Sequence, residues 1–487
     1  MKCEFTIGKY TLESLTNGMY ASPLDMYREY IQNAVDSLDE TAKSGSETAE
    51  KLFVEITIDK ANRRVVIRDN GHGLQTADAE AALLDIGNSS KRRDAARGFR
   101  GIGRLAGLSC CERLTFRTSY CGEETATIIS FDAALLKNLL LPGNYENMRI
   151  EDVIEEIVTV HTEREDANQR YFQVELQGVW NGAGLLNLEA VEDYLLQHAP
   201  LRFSEEFKWG QLIEEKMRLE GCPISQYDIR LNGKTLYKPY RDTFVSDRVK
   251  KNIDSIRDVK VKAFYRGDTL SAFLWYAETN FYGTILDNAI KGLRIRQGNI
   301  LIGDKSSCNS LFKEERFNGW MIGELHVADM EMVANSRRDG FEKNAAYFEL
   351  FDSWKGWALE VSREIRHLSY ERNLSSSKKA VVEADHLEDI SDENALCSEN
   401  LAYAEEYGES AVVEQDESTE LAEADYISKL SLLLEQKKSQ TKYAALNVNP
   451  KLTIEQRKAL ERVFDLITQS YERDEAERFV SLIAEKF

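Results

Sequence analysis

Residues 52–74, LFVEITIDKANRRVVIRDNGHGL, constrain this chain more than any other stretch. Apolar and polar residues alternate on both sides of DKAN, the period of a strand buried on one face. The segment therefore reads as a β-hairpin ending in a glycine-rich turn. A half-buried sheet needs an apolar partner, and the preceding segment supplies it. Residues 23–42, entered through Ser22 as N-cap and Pro23 at the first helical position, have helical spacing. Tyr27, Ile31, Ala34 and Leu38 fall on one face, while Glu29, Asn33, Asp36 and Glu40 form a polar line on another. Further strands are predicted at 112–120 (ERLTFRTSY) and 125–131, with a turn at Cys121 and Gly122 between them. Helix against sheet makes the fold class α+β, with a two-layer sandwich at its N-terminal end.

At 487 residues the chain has room for several domains, and 43% hydrophobic content can fill their cores. The spacing predicts an α+β domain over 1–198 and a second mixed α/β domain over 199–374. An acidic linker follows over 375–426, then a helical C-terminal segment over 427–487. Residues 380–426 hold sixteen Asp or Glu and no Lys or Arg, so most of the net charge of −21 resides there. Such a stretch reads either as a self-repelling, disordered linker or as a dock for a basic partner. The seven cysteines (Cys3, Cys110, Cys111, Cys121, Cys222, Cys308 and Cys397) are scattered and contain no C-x-x-C pair, which argues against zinc and a disulfide framework. No run of eighteen apolar residues occurs, and MKCEFTIGKY lacks the layout of a secretory signal. The expectation is a cytoplasmic protein with no membrane contact.

Two glycine-bearing segments suggest chemistry beside the polar helix. In IRDNGHGL, Asp69 closes a predicted strand, and Gly71 and Gly73 follow. A buried carboxylate there can accept a hydrogen bond from an exocyclic amine, and glycines let a flat base approach; the same letters also spell an ordinary turn. In RGFRGIGRLAGLSCC, Gly98, Gly101 and Gly103 run into an apolar helix, an arrangement whose free N–H groups can cradle phosphates. The preceding LDIGNSSKRRDAARGF is small, polar and basic, and reads as a lid from which Lys91 can reach phosphate oxygens.

In order, EYIQNAVD, DNGHG and GFRGIG resemble the N-box, the D-x-G-x-G box and the glycine box of the GHKL ATPases, the group of gyrase B subunits, ninety-kilodalton heat-shock chaperones, histidine kinases and MutL proteins. The resemblance covers roughly residues 10–180 and implies a GHKL-type (Bergerat-type) sandwich followed by a transducer-like middle domain. It also implies ATP and Mg²⁺ as ligands. Glu29 would be the general base that activates water, and Asn33 the magnesium ligand. Asp69 would hold the adenine amino group, with Gly71 and Gly73 beside the base. Gly98, Gly101, Ile102 and Gly103 would line the phosphates. Asp36 lies on the same helix face, touching either ligand or arginine side chains, and His72 reads as a variable loop residue.

Members that hydrolyse ATP carry a glutamate four residues before the box asparagine, as Glu29 stands before Asn33, so hydrolysis is expected rather than kinase transfer. The 28 residues before Glu29 also contain no phosphoacceptor histidine. In relatives a basic residue of the following domain reaches back to the γ-phosphate. MVANSRRDGFEKN (332–344) is similar to that stretch, with Arg338 the first choice for the sensor and Arg337 the second. The expected function is a chaperone-like or MORC-like conformational ATPase that acts as a homodimer on a macromolecular client. The alternative is a weakly hydrolytic, nucleotide-gated module controlling a separately encoded effector, in bacterial stress or phage defence. Whether nucleic acid is a partner stays open at this stage.

Overall fold

The computed structural model describes residues 7–16, 20, 22–43, 51–86, 101–143, 145, 148–180, 182, 184–247, 251–384, 460 and 463, with side chains of the long final helix described to residue 372. The chain forms two units, Met1–Ala384 and Asp385–Phe487. Of the second, only Leu460 and Val463 are described, both helical. The expected acidic linker beyond 384 and, apart from Leu460 and Val463, the expected helical C-terminal segment thus fall outside the described residues.

The chain begins with α1 (Tyr10–Thr16) and α2 (Asp25–Lys43). The start of α2 is capped reciprocally: Ser22 Oγ accepts the Leu24 N–H at 3.3 Å, and Asp25 Oδ2 accepts the Ser22 N–H at 3.1 Å. Next come β1 (Phe53–Asp59), β2 (Arg64–Asp69), α3 (Thr76–Leu84), β3 (Arg113–Ser119), β4 (Thr125–Asp132), α4 (Ala133–Leu140), α5 (Ile150–Ile157), β5 (Val158–Arg164), β6 (Tyr171–Gln177) and α6 (Leu188–His198). The four predicted strands are all present, each within two residues of its expected limits. After α7 (Gly210–Leu219) come β7 (Asp228–Leu231) and β8 (Lys234–Thr235).

These strands make one eight-stranded sheet in the order β5-β4-β3-β6-β2-β1-β7-β8, with β1 and β7 parallel and the remaining pairs antiparallel. Although β7 and β8 lie beyond residue 199, they hydrogen-bond into this first sheet, because β7 takes the free edge of β1 from Phe53↔Asp228 to Ile56↔Leu231. Strand alternation buries Val54, Ile56 and Ile58 of β1, Val65 and Ile67 of β2, and Leu114 and Phe116 of β3. Tyr27, Tyr30, Ile31, Val35 and Leu38 of α2 join the same core, each no more than 2% exposed. Each such side chain contributes roughly 1.5–3 kcal/mol of burial. Helix α2 is thus buried on more than the single apolar face that its spacing predicts.

A second sheet follows β9 (Thr243–Ser246) and β10 (Asn252–Ser255), which pair with each other. It contains β11 (Asp258–Arg266), β12 (Thr269–Glu278), β13 (Gly292–Gln297), β14 (Ile300–Ile302) and β15 (Ile322–Val327), ordered β11-β12-β15-β13-β14. Helix α8 (Ala345–Ala384) packs Leu350, Trp354, Trp357, Val361 and Ile365 into its core. Residues 375–384, which the charge pattern assigns to the linker, continue this helix.

The two sheets are joined by a fully buried polar cluster. Lys238 Nζ donates to both Glu324 oxygens at 2.7 and 2.9 Å and to Asn299 Oδ1 at 3.0 Å. Arg296 donates to Glu324 and, at 3.1 Å, to the Gln197 carbonyl at the end of α6. Asn299 Nδ2 donates to the carbonyls of Leu201 and Ser225, and His326 Nε2 lies 3.0 Å from Glu324 Oε2. Burial works against the Glu324 charge, but Arg296 and Lys238 outweigh it and hold the carboxyl well below the usual range. Burial, reinforced by Arg296, pulls the Lys238 ammonium down to about 7.

Candidate functional site

The polar side of α2 carries the candidate residues at helical intervals. Glu29 and Asn33 are half-buried, Asp36 is 3% exposed, and Ser37 completes the run at i, i+4, i+8. Glu29 and Ser37 are separated by roughly 12 Å of helix axis, eight residues at about 1.5 Å each. The two ends of this run meet different parts of the fold.

At the Ser37 end lies Asp69, 1% exposed. It occupies the next inward position of β2 after Val65 and Ile67, so the same alternation that buries the core directs this carboxylate beneath α2. Its Oδ1 accepts the Ser37 hydroxyl at 3.1 Å and the Gly71 N–H at 2.9 Å. Gly73 has φ +71°, and a Cβ there would lie 2.0 Å from the Ser119 carbonyl oxygen and 2.9 Å from that of Tyr171. Backbone sits so close on that side that only glycine fits. Thr118, the inward residue of β3 after Leu114 and Phe116, is 1% exposed and accepts the Leu74 N–H at 2.8 Å, pinning the turn after Gly73. His72, in the loop between the two glycines, lies against α2: Nδ1 is 3.5 Å from Ser37 Oγ and Nε2 is 3.2 Å from Glu40 Oε2.

At the Glu29 end the glycine segment is docked on α2. Residues Gly103–Ser109 form a seven-residue 3₁₀ helix. The sequence leads one to expect an apolar helix here, and the buried Leu105, Ala106 and Leu108 supply its apolar side; the tighter winding accompanies close packing against α2. The Tyr30 hydroxyl donates to the Arg104 carbonyl at 3.0 Å and accepts the Gly107 N–H at 2.8 Å. A Cβ on Gly103 would stand 2.5 Å from Glu29 Oε2, so the glycine lets the segment close on the carboxylate. Gly101 has φ +70° and Ile102 precedes the turn. Gly98 and Lys91 lie outside the described residues.

The turn between β15 and α8 reaches the same carboxylate. Arg338, 9% exposed and with φ +56°, places Nε 3.7 Å from Glu29 Oε1, whereas the Arg337 side chain is exposed. Asn335 and Asp339 brace this turn through a hydrogen bond of 2.5 Å, and the Arg338 carbonyl accepts the Gly303 N–H at 2.8 Å. Arg28, 5% exposed, is shared three ways: Nη1 is 3.4 Å from Asp25 Oδ1, Nε and Nη2 are each 3.5 Å from Glu29 Oε1, and Nη2 donates to the Arg337 carbonyl at 3.2 Å. Burial opposes its charge, yet Tyr194, Glu29 and Asp25 together hold the guanidinium pKa above its ordinary value. Tyr20, close to Glu29, is pushed upward by burial and by that carboxylate, so its phenol stays protonated.

Sequence reasoning misses Ser37, Thr118, Tyr30 and Arg28. Two of them left a signal: Thr118 is a polar residue at an inward strand position, and Ser37 lies eight residues after Glu29 on the same helix face. Arg28 and Tyr30 gain meaning only through partners distant in sequence. Gln32 was also passed over; it is 1% exposed, and neither amide atom has a hydrogen-bond partner among the described residues. The first sheet's open face holds a basin of about 430 Å³ lined in part by Phe53, Glu55, Arg64 and Arg230. Of its three arginines, Arg64 is engaged by Glu175 at 2.7 Å, Arg230 by Asp228 at 3.0 Å, and Arg68 lies 3.9 Å over the Tyr171 ring; alternation puts the basin on the side away from Asp69.

Glu29 and Asn33 on one helix, a strand-end aspartate followed by close-packed glycines, and a glycine turn closing on the glutamate are thus gathered along α2. Residues 26–157 match the family of histidine kinase-, DNA gyrase B- and HSP90-like ATPases, and this part of the chain is a GHKL ATPase domain. Among curated proteins, the chain is similar to the chaperone protein HtpG of Nocardia farcinica, 30% identical over 137 residues, which cover 24% of this chain and 21% of that protein. It is similar likewise to HtpG of Rhodococcus jostii (29% over 136 residues; 24% and 21%) and of Mycobacterium tuberculosis H37Rv (26% over 178 residues; 32% and 26%). The chain thus spans only about a quarter of these relatives' length or less. No helix among the described residues is long and apolar enough to cross a membrane, and no group of three His, Cys, Asp or Glu suited to a metal occurs among them.

Proposed function

We propose that this protein is a Mg²⁺-dependent ATPase whose nucleotide lies along α2, adenine at Asp69 and phosphates at Glu29. The observation that carries the reading is the convergence on one carboxylate: Glu29 meets Gly103 of the glycine segment and, at 3.7 Å, Arg338 of the second domain. Glu29 is the general base, a carboxylate on a rigid helix able to orient and deprotonate water. Arg338 is the residue that answers the charge on the transferring phosphoryl group, and its planar fork suits phosphate oxygens. Gly101, Ile102 and Gly103 offer backbone N–H groups to the phosphates; Gly98 is expected to do the same, and Lys91 to reach phosphate oxygens with its ammonium, both from outside the described residues. Asp69 holds the adenine amino group, its carboxylate oriented by the Ser37 hydroxyl and the Gly71 N–H, which both donate to Oδ1, while Gly73 serves the turn's close packing against the backbone of Ser119 and Tyr171. Asp36, buried on the same face of α2, supports this wall of the site.

The donor set suits magnesium. Asn33 is a half-buried neutral oxygen donor one turn from Glu29, and among the described residues no group of three His, Cys, Asp or Glu gathers into a metal cage, which agrees with an ion that keeps most of its shell for water and phosphate. When bound, the ion supplies charge neutralisation at the phosphates.

By its likeness to HtpG, the driven process is chaperone-like: ATP closes the molecule, two copies associate, and hydrolysis releases a protein client in the cytoplasm. Steady-state ATP hydrolysis with Mg²⁺, measured for wild type beside Glu29→Ala together with ATP binding, tests the core of this reading. Turnover in wild type, with binding but no turnover in the variant, supports it. Binding without turnover in both points instead to a nucleotide-gated module, and absence of binding in wild type refutes the site.

A further inference from the structure

The proposed base is positioned by a chain of contacts that the activity alone does not require, and that chain runs into α6. Tyr194 of α6 donates its hydroxyl to Asp25 Oδ1 at 2.8 Å. The same oxygen faces Arg28 Nη1 at 3.4 Å, while Asp25 Oδ2 is held by the Ser22 N–H. Arg28 then divides its remaining donors between Glu29 and the Arg337 carbonyl. Asp25 and Arg28 are each 5% exposed, so these bonds form in a poorly solvated setting where geometry is well defined. The Tyr194 ring is itself fixed, stacked on His198 with centroids 4.0 Å apart and planes 8° from parallel.

One turn further along α6, Gln197 is tied at three points to β13 of the second sheet and the loop before it. Its Nε2 donates to the Ala289 carbonyl at 2.9 Å, its Oε1 accepts Arg294 Nε at 2.9 Å, and its carbonyl accepts Arg296 Nη2 at 3.1 Å. Any displacement of β13 relative to the first sheet therefore moves α6, and with it the hydroxyl that fixes Asp25.

We propose that Asp25 and Tyr194 are positioning residues for Glu29: through Arg28 they set both the place of the Glu29 carboxylate and the docking of the Arg337–Arg338 turn against it. Helix α6 is thereby the link through which the second sheet governs turnover. This inference rests on the reading of Glu29 as the base. It separates the residues that fix catalysis from those that fix affinity, since Asp25 and Tyr194 sit beyond the Glu29 end of α2, remote in sequence and along the helix from Asp69.

The test is a double-mutant cycle of Tyr194→Phe and Asp25→Asn in the full chain, with kcat, KM for ATP and thermal midpoint measured for each. Tyr194→Phe keeps the stacked ring and removes only the hydroxyl. Each single change is expected to lower kcat by about tenfold with KM within about twofold, as for the loss of one hydrogen bond to a charged group that matters in the transition state. The double variant is expected to lose no more than the worse single, because both act through Arg28. Unchanged kcat, a rise in KM at constant kcat, or losses that multiply across the cycle each overturn the proposal. If Asp25→Asn does not fold, the kcat and KM split in Tyr194→Phe decides alone. Glu29→Ala in the same series distinguishes the two levels. If wild-type turnover depends on Glu29 while Tyr194→Phe is silent, only this inference falls; if turnover does not depend on Glu29, the underlying reading falls and takes this one with it.

Discussion

Gly103→Ala is the sharpest probe of the assembled site, because its effect on stability and its effect on turnover should separate. The added Cβ would lie 2.5 Å from Glu29 Oε2, about 1 Å inside van der Waals contact. Gly103 is absent from the residues of positive φ, so alanine brings no left-handed strain, and it restricts the unfolded chain by roughly 0.4–1 kcal/mol in favour of folding. The atom met is the tip of a partly exposed side chain, which can swing aside at small cost. Stability should therefore stay within about 1 kcal/mol of wild type. The Glu29 carboxylate, however, must shift by about 1 Å, and displacement on that scale costs on the order of a hundredfold in rate when the group is a positioned catalyst. Urea denaturation, ATP binding and steady-state hydrolysis on the same preparations make the comparison. A variant that binds ATP and turns over at the wild-type rate would refute the placement of Glu29 against the glycine segment as the catalytic arrangement.

Two further outcomes follow from the joint between the sheets and from α6. Glu324→Gln leaves Lys238 and Arg296 without their buried counter-charge and should destabilise the folded unit by about 3–5 kcal/mol in urea melts; a loss under about 1 kcal/mol would show the cluster to be energetically neutral. Burial pulls His198 down to about 4 from an ordinary value near 6.5, so the unfolded chain takes up this proton before the folded one does. Its contribution to stability is present above pH 6.5 and is lost as pH falls towards 4, by at most about 3 kcal/mol. His198→Gln should flatten the stability profile across that window, and an unchanged slope would contradict the assignment.

Local grammar was legible in the chain: the hairpin at 53–69, the polar line of α2, and the order of the helical box and the two glycine-bearing boxes after it. Each of those signals is carried by neighbours within one or two helical turns or along a single strand, where period and capping chemistry act. Asp69 was legible for that reason, since it continues the alternation of Val65 and Ile67, and the structure buries it as the pattern demands. What joins the boxes was not legible. The insertion of β6 between β2 and β3 and the parallel addition of β7 to β1 are choices among strand edges that local pattern leaves equivalent. Arg338 was expected near the phosphates through the family resemblance of MVANSRRDGFEKN, but its contact with Glu29 across 309 residues, the clamp of Arg28 between Glu29 and the Arg337 carbonyl, and the ties of Gln197 to Arg294 and Arg296 came only with the tertiary structure. These contacts depend on packing two sheets around a shared buried charge cluster. Hydrogen bonds and ion pairs of that kind have no period in sequence, because their partners are set by where the sheets come to rest against each other.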